Sequence, residues 1–306
     1  MLDLTRLRVL AAVARHGSVT AAARALHYAQ PSVSHHLARL EAETGTRLLQ
    51  RVGRGVRLTE AGRLLAERAE EILGRLDAAE AELAEHAGLR AGRVRLAAFP
   101  SALGTYVPEA AARFTAANPG VELRFVEAEP PDALRLLRAG EVDVAVVFHH
   151  EDEPSPAADG VRTTALLTEP LYLVTKAGGR GRLAAHAEDA WIAGCERCRQ
   201  HLLRQCAAAG FTPRIAFTTD DFVAVQALVA AGLGVTTLPA LALAAHRDPG
   251  VRVSRLPGAA RSVCAATYGE PPDPPAPARL LAELADAARA WRRAHPDATG
   301  AAGQTA

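Results

Sequence analysis

Residues 17–41 read GSVTAAARALHYAQPSVSHHLARLE. Ser18 or Thr20 can cap a short helix that buries Ala22, Ala23 and Leu26. Its small alanines let a second helix cross it steeply. His27-Tyr28-Ala29-Gln30 makes a tight turn, and Pro31 suits the first turn of the next helix, where a missing N–H costs nothing. On that helix Val33, Leu37 and Leu40 recur on one face, while Ser32, Ser34, His35, His36 and Arg39 share the other. The stretch is therefore helix, turn, helix, with a polar and basic outer surface on the second member. Such a helix fits the major groove of DNA, where hydroxyl, imidazole and guanidinium groups reach base edges and phosphates. A merely solvated face is the plainer reading, but spacing, turn chemistry and charge agree on the first.

Outward from this stretch the pattern continues on both sides. Leu4, Leu7, Val9, Leu10 and Val13 follow a helical period, which predicts a first helix over 3–15. After the recognition helix, RLLQRVGRGVRL at 47–58 places the turn signal Gly53-Arg54-Gly55 between two short strands, Leu48 to Val52 and Val56 to Leu58. This is a wing, and Arg51, Arg54 and Arg57 on it suit phosphates or the minor groove. Residues 1–58 hold nine Arg against three acids, a net of +6, whereas residues 59–90 carry −4 and the whole chain only +1. A basic head on an otherwise near-neutral chain is an electrostatic footprint for nucleic acid.

Thr59 caps a long helix in which Leu65, Ala69, Ile72, Leu76, Ala79 and Leu83 recur at heptad spacing. A helix of this length between two domains is expected to pair two chains. Leu89 to Gly92 ends it. Residues 93–268 then alternate strands and helices as βαβαβ, followed from Pro170 by a second such unit, which predicts parallel sheet covered by helices. A Pro-rich stretch, 271–277, leads to a last helix over 278–293, and residues 296–306 read as a disordered tail.

With 306 residues, 49% hydrophobic and 23% charged, the chain has ample material for a core. Its first residues do not read as a signal peptide, because Asp3, Arg6, Arg8 and Arg15 interrupt the apolar positions. No apolar run is long enough for a membrane span. The expected location is the cytoplasm, with no membrane partner. Four cysteines, three of them within 195–206, do not form a secreted disulfide framework.

Leu7-Arg8, Gly17 to Ala23, Gln30 to Ser34, Leu37 to Glu41, Leu48 to Arg51 and Leu58 to Gly62, in this order and spacing, resemble the N-terminal pattern of LysR-type transcriptional regulators. Ala29 departs from the usual Ser or Thr, so the recognition helix lacks that cap, and His35 stands where Arg is common. Farther on, Gly140 to Ala145 and Ala231 to Pro239 resemble the effector domain of that family. The resemblance implies an N-terminal all-α winged helix-turn-helix (1–58), a linker and dimerisation helix (59–90), and a C-terminal α/β effector domain (91–295). That domain is similar to type 2 periplasmic binding proteins, with lobe I at about 91–166 and 268–295 and lobe II at about 167–267, and a return crossover near Cys264 to Tyr268. It also implies a dimer through the linker helix, a tetramer built from two dimers, double-stranded DNA and a small-molecule effector as partners, and RNA polymerase as an optional one. Thr20, Gln30, Pro31, Ser32, Ser34, His35, His36, Arg39, Arg51, Arg54 and Arg57 are then the expected DNA-contacting residues.

In open α/β sheets ligands bind beyond the carboxyl ends of the strands. This rule selects Pro100, Ser101, Ala102, Glu129, Phe148 and His149 in lobe I, and Cys195, Cys198, Thr218, Thr219 and Asp220 in lobe II. Helix N-termini at Ser101 and near Cys198 are expected to offer N–H groups to an anionic ligand. Cys195-Glu196-Arg197-Cys198 and Cys206 admit two sharper readings. One is a thiol switch using Cys198 and Cys206, with Arg197 and Arg199 lowering a thiol pKa, since some peroxide-sensing relatives carry cysteines here. The other is a metal site drawing on His149, His150 and His201. With no second CxxC pair, the sequence favours no metal and no cofactor. No nucleotide loop, nucleophile elbow or HExxH motif supports an enzyme. A transported-solute binder would need a signal peptide, and an architectural DNA-binding protein would not need two α/β lobes.

Overall fold

The computed structural model describes residues 2–52, 55–86, 92–158 and 160–296. They fall into two compact units, Met1–Arg90 with Arg135–Glu141, and Ala91–Leu134 with Val142–Ala306.

In the first unit, helix α1 (Leu4–His16) starts at Asp3, whose side chain accepts from the Arg6 N–H, and stops at Gly17, a left-handed residue with φ 68°. Helix α2 (Val19–Ala25) is capped by Ser18, not Thr20: the Ser18 hydroxyl accepts from the Ala21 N–H. His27 turns the chain with φ 54°, a left-handed conformation that few side chains other than Asn, Asp and His adopt. Helix α3 (Gln30–Thr44) begins at Ala29 without a side-chain cap, and Pro31 fills its first turn. Strands β1 (Leu49–Val52) and β2 (Gly55–Leu58) pair antiparallel as the wing. Glu41 ties the wing to α3, its Oε1 accepting from the Leu48 and Leu49 N–H groups at 2.8 and 3.0 Å. Helix α4 (Glu60–His86) follows, with Thr59 Oγ1 accepting from the Gly62 N–H.

One apolar core joins these helices around Leu7, Leu10, Val33, Leu37, Leu40 and Leu48, and it corrects the expected pairing seam. Ala69 is fully buried in this core and Leu65 packs against it, so the first two positions of the heptad are spent inside the chain's own domain. Ile72 is 41% exposed and Leu83 70%; Leu76 is half-buried and Ala79 exposed. Only this later part of the stripe is free to meet a second helix.

In the second unit, β3 (Gly92–Ala98), β4 (Val121–Glu127) and β5 (Val144–His150) run parallel. Helices α5 (Pro100–Leu103), α6 (Val107–Ala117) and α7 (Pro130–Arg138) connect them. Two long strands, β6 (Val161–Lys176) and β10 (Val251–Tyr268), lie antiparallel from Val161↔Tyr268 to Lys176↔Val251 and form both crossovers between the lobes. The return crossover is therefore the whole of β10, not only its end near Cys264. The other lobe holds β7 (Ala190–Ala193) and β8 (Arg214–Thr218), which run parallel, and β9 (Thr236–Pro239), which is antiparallel to β6. The sheet order β4-β3-β5-β10-β6-β9 is mixed, where uniform parallel sheet was expected. Helices α8 (Glu196–Ala208), α9 (Phe222–Ala230), α10 (Ala240–Ala245) and α11 (Pro275–Ala294) complete the unit. Helix α8 starts three residues before Arg199, and α11 starts inside the Pro-rich stretch rather than after it, because proline is tolerated in a first turn. No helix among the described residues is long and apolar enough to cross a membrane.

Candidate functional site

The first site is the outer surface of α3 and its surroundings. Thr20, Gln30, Pro31, Ser32, Ser34, His35 and Arg39 are exposed there, and His36 is half-buried. The His36 ring stacks on Tyr28 with centroids 6.0 Å apart, so Tyr28, 44% exposed and not foreseen from the sequence, belongs to the same surface. Arg57 projects from β2. The Arg51 side chain and all of Arg54 lie outside the described residues, as do residues 297–306 of the expected tail.

The second site is a cavity of about 60 Å³ between the two lobes of the second unit. At about 10–15 Å³ per water by this measure, it takes a compact ligand of a few atoms. Seven residues expected there line it: Pro100, Ser101, Glu129, Cys195, Cys198, Thr219 and Asp220. Four do not. Ala102 is fully buried in the core behind α5. Thr218 ends β8 exposed, outside the lining. His149 lines a different cavity, with Ser155 and Cys264, because neighbouring residues of a strand face opposite sides. Phe148 faces the cavity side but is covered: its ring meets Phe99 edge-on, with centroids 5.0 Å apart, and Arg261 lies over it at 4.2 Å.

Arg261 is the residue the strand-end rule could not find, since it comes from the middle of β10. It is 3% exposed and stands opposite Glu169 of β6. Arg261 Nε donates to Glu169 Oε1 at 2.7 Å, and Nη2 donates to Ser101 Oγ at 2.9 Å. Glu169 Oε2 accepts from the Leu241 N–H at 2.6 Å. Burial, the largest single influence, works against the guanidinium charge, but Glu169 together with Cys198 and Glu129 outweighs it and holds the Arg261 pKa up. Burial pushes the Glu169 carboxyl up, against the pull of Arg261 and the Leu241 N–H. The signal was present in the sequence: one cation in AARSVCAA and one anion in LLTEPLYL, each the lone charge of an apolar eight-residue stretch. Thr236, Thr237 and Phe222 also line the cavity and were not foreseen.

Ser101 thus already serves Arg261 as an acceptor. Its hydroxyl hydrogen remains for a ligand. Helix α5 is only four residues long and opens on a proline, so it does not supply the row of N–H groups expected at Ser101. Helix α8 does present an N-terminus, at Cys195 rather than Cys198.

The thiols depart from the alternative reading of a Cys198–Cys206 switch. Cys198 and Cys206 are eight residues apart on α8, about 12 Å along the axis, beyond the reach of a disulfide. Cys206 is buried in the core of its lobe, and burial pushes its thiol up to about 11. Arg197 is engaged by Glu153 at 3.2 Å and Arg199 by Glu196 at 3.7 Å. The Cys195 thiol is pushed up, first by its hydrogen bond with Cys198 and then by burial. Sγ of Cys195 lies 3.2 Å from Sγ of Cys198. His150 stacks on His201 at 3.9 Å, and these histidines do not join the cysteines.

A basic winged helix-turn-helix joined to a two-lobed domain with an inter-lobe cavity defines a class: a DNA-binding regulator with a ligand-binding module. Residues 4–63 match the bacterial regulatory helix-turn-helix protein, lysR family, and residues 87–289 match the LysR substrate binding domain. The chain is 34% identical over 279 residues to the uncharacterized HTH-type transcriptional regulator YcgK of Bacillus subtilis (strain 168), covering 82% of this chain and 83% of that protein. CbnR, a LysR family transcriptional regulator, shares the fold at a TM-score of 0.62 and 24% identity, covering 94% of this chain and 99% of its own. CbnR complexed with its target DNA gives a TM-score of 0.60 at 24% identity, over 94% and 100% of the two chains. Full-length LysG from Corynebacterium glutamicum with bound effector Arg gives 0.58 at 21% identity, over 94% and 99%. The chain belongs to the LysR family of transcriptional regulators.

Proposed function

We propose that this chain reads specific DNA sequences through α3 and the wing, and that a compact ligand held between the lobes controls that contact. The observation that carries the second half is the make-up of the cavity wall. Pro100, Ser101 and Glu129 come from one lobe, and Cys195, Thr219 and Asp220 from the other. A ligand touching both lobes binds one lobe arrangement better than another, which is the requirement for shifting a conformational equilibrium. The first half rests on the exposed row of Ser32, Ser34, His35 and Arg39. In this reading residues 1–58 bind DNA, 59–90 link and pair two chains, and 91–295 bind the effector. Two such pairs form a tetramer.

The test is a thermal-shift screen of small metabolites on the full-length protein, followed by DNA titration. A true effector raises the melting temperature and changes DNA affinity. In Ser101→Val the effector should bind about 1–3 kcal/mol more weakly, because a buried ligand group loses the hydroxyl. Basal DNA affinity should stay unchanged. An effector that binds wild type and Ser101→Val equally places the sensing site elsewhere.

A further inference from the structure

We infer that the inter-lobe cavity is a site for a thiophilic divalent cation, zinc(II) in the first instance, held by Cys195, Cys198, Glu129 and Asp220. The inference rests on the cavity being the effector site and names the chemistry of its ligand. A carboxylate oxygen of Glu129, Sγ of Cys195 and a carboxylate oxygen of Asp220 all lie within 4.8 Å of one another. Cys198 adds a fourth donor, its Sγ 3.2 Å from that of Cys195. Zinc takes thiolate at about 2.3 Å and carboxylate at about 2.0–2.2 Å in a tetrahedron, which sets donors roughly 3.3–3.8 Å apart. The Cys195–Cys198 distance lies just under that spacing and Glu129, Cys195 and Asp220 lie within 4.8 Å of one another; Cys198 stands outside that trio and must rotate toward the carboxylates to complete the set.

Three further observations point the same way. Oε2 of Glu129 is shielded from solvent and has no hydrogen-bond partner, which calls for a missing one. Two carboxylates face the thiol pair and a cation repays their desolvation, while Arg261, which lines the same cavity, is already paired with Glu169. The volume of about 60 Å³ suits an ion better than an extended metabolite. The donors come from both lobes, Glu129 after β4 and the others after β7 and β8, so one ion bolts the lobes together. Binding releases the two thiol protons to solvent and moves no electrons. Sequence spacing alone hid the site, because Glu129 and Asp220 lie 66 and 25 residues from Cys195.

The experiment uses untagged full-length protein, reduced and stripped with a chelator. Zinc content is measured after dialysis, affinity by competition with a chromophoric chelator, and geometry by the visible spectrum of the cobalt(II) form. We expect one zinc per chain and the intense bands of tetrahedral thiolate-bound cobalt. Cys195→Ser with Cys198→Ser should weaken zinc by about 100-fold, and Glu129→Gln or Asp220→Asn by about 10-fold each. Cys206→Ser and Cys264→Ser should leave it unchanged. No zinc uptake, or uptake unaltered when all four donors are replaced, overturns the inference. So does a Cys195–Cys198 disulfide that forms with peroxide and changes DNA affinity in a protein that takes up no zinc. If an organic ligand sensitive to Ser101→Val binds where zinc does not, the metal site falls and the effector cavity stands. If zinc binds as described but leaves DNA affinity unchanged, the site stands and the sensing role of the cavity falls.

Discussion

Arg261 and Glu169 occupy facing positions on the two crossover strands, and each is tolerable there only because of the other. Removing one partner strands a buried charge. Arg261→Ala is therefore expected to cost about 3–5 kcal/mol in chemical denaturation. Replacing both, Arg261→Met with Glu169→Leu, should recover most of that loss, and equal losses in the single and double variants would contradict the account. On the DNA face the residues should divide by role. His35→Ala should change the preferred base sequence. Arg57→Ala should weaken all duplexes alike and lower the salt slope by about one unit, read from binding titrations at several salt concentrations. Sequence reading found most single residues that a local rule governs: the caps, the exposed face of α3 and the strand-end positions Ser101, Glu129 and Asp220. It missed Arg261 because no local rule says which face of a long crossover strand meets a cavity. It misjudged Phe148 because strand direction places a residue at the cavity without saying what covers it.

Helix α4 shows what periodicity tells and what it leaves out. The spacing of Leu65 to Leu83 correctly marks one apolar stripe, but a stripe does not name its partner. Ala69 faces the core of its own domain, whereas Ile72 is exposed. The two positions should therefore behave differently. Ile72→Asp is expected to leave the helical circular dichroism and melting temperature near wild type while halving the mass by light scattering. Ala69→Asp, which buries a charge at a fully packed position, should unfold the N-terminal domain. An Ile72→Asp protein of unchanged mass would remove α4 from the pairing interface. Helix α8 carries the same lesson for chemistry. The CxxC spacing was visible, but its start at Cys195 puts Cys198 beside Cys195 and far from Cys206.

Across the effector domain, buried titratable groups tie stability to pH. Burial first, then the charges of His201 and Arg261, hold the His150 imidazole down at about 3, against 6.5 when free; Asp152 opposes the shift and Arg204 adds to it. The folded state keeps His150 neutral where the unfolded chain would bind a proton. Its contribution is fully present above about pH 6.5 and is lost as pH falls toward about 3, with a slope approaching about 1.4 kcal/mol per pH unit. Denaturant midpoints at pH 7 and pH 5 should show this fall, and His150→Phe should flatten it. An identical pH profile in that variant would exclude His150 as the source. The alternation of strands and helices and the second unit after Pro170 were legible in the residues, whereas the two-lobed plan came from the resemblance to the LysR family. The mixed sheet was not legible, because β10 runs antiparallel to β5 and β6, and β9 to β6, through long-range pairings no local pattern encodes. The claim on which the rest depends is sequence-specific DNA binding by the assembled chain. The measurement that tests it most directly is repeated selection of random duplexes by the purified full-length protein, with the enriched sites then titrated against scrambled ones. Enrichment of an interrupted palindrome, bound at least about 1000-fold more tightly than scrambled DNA, is the result expected. Equal binding to enriched and scrambled duplexes would contradict it.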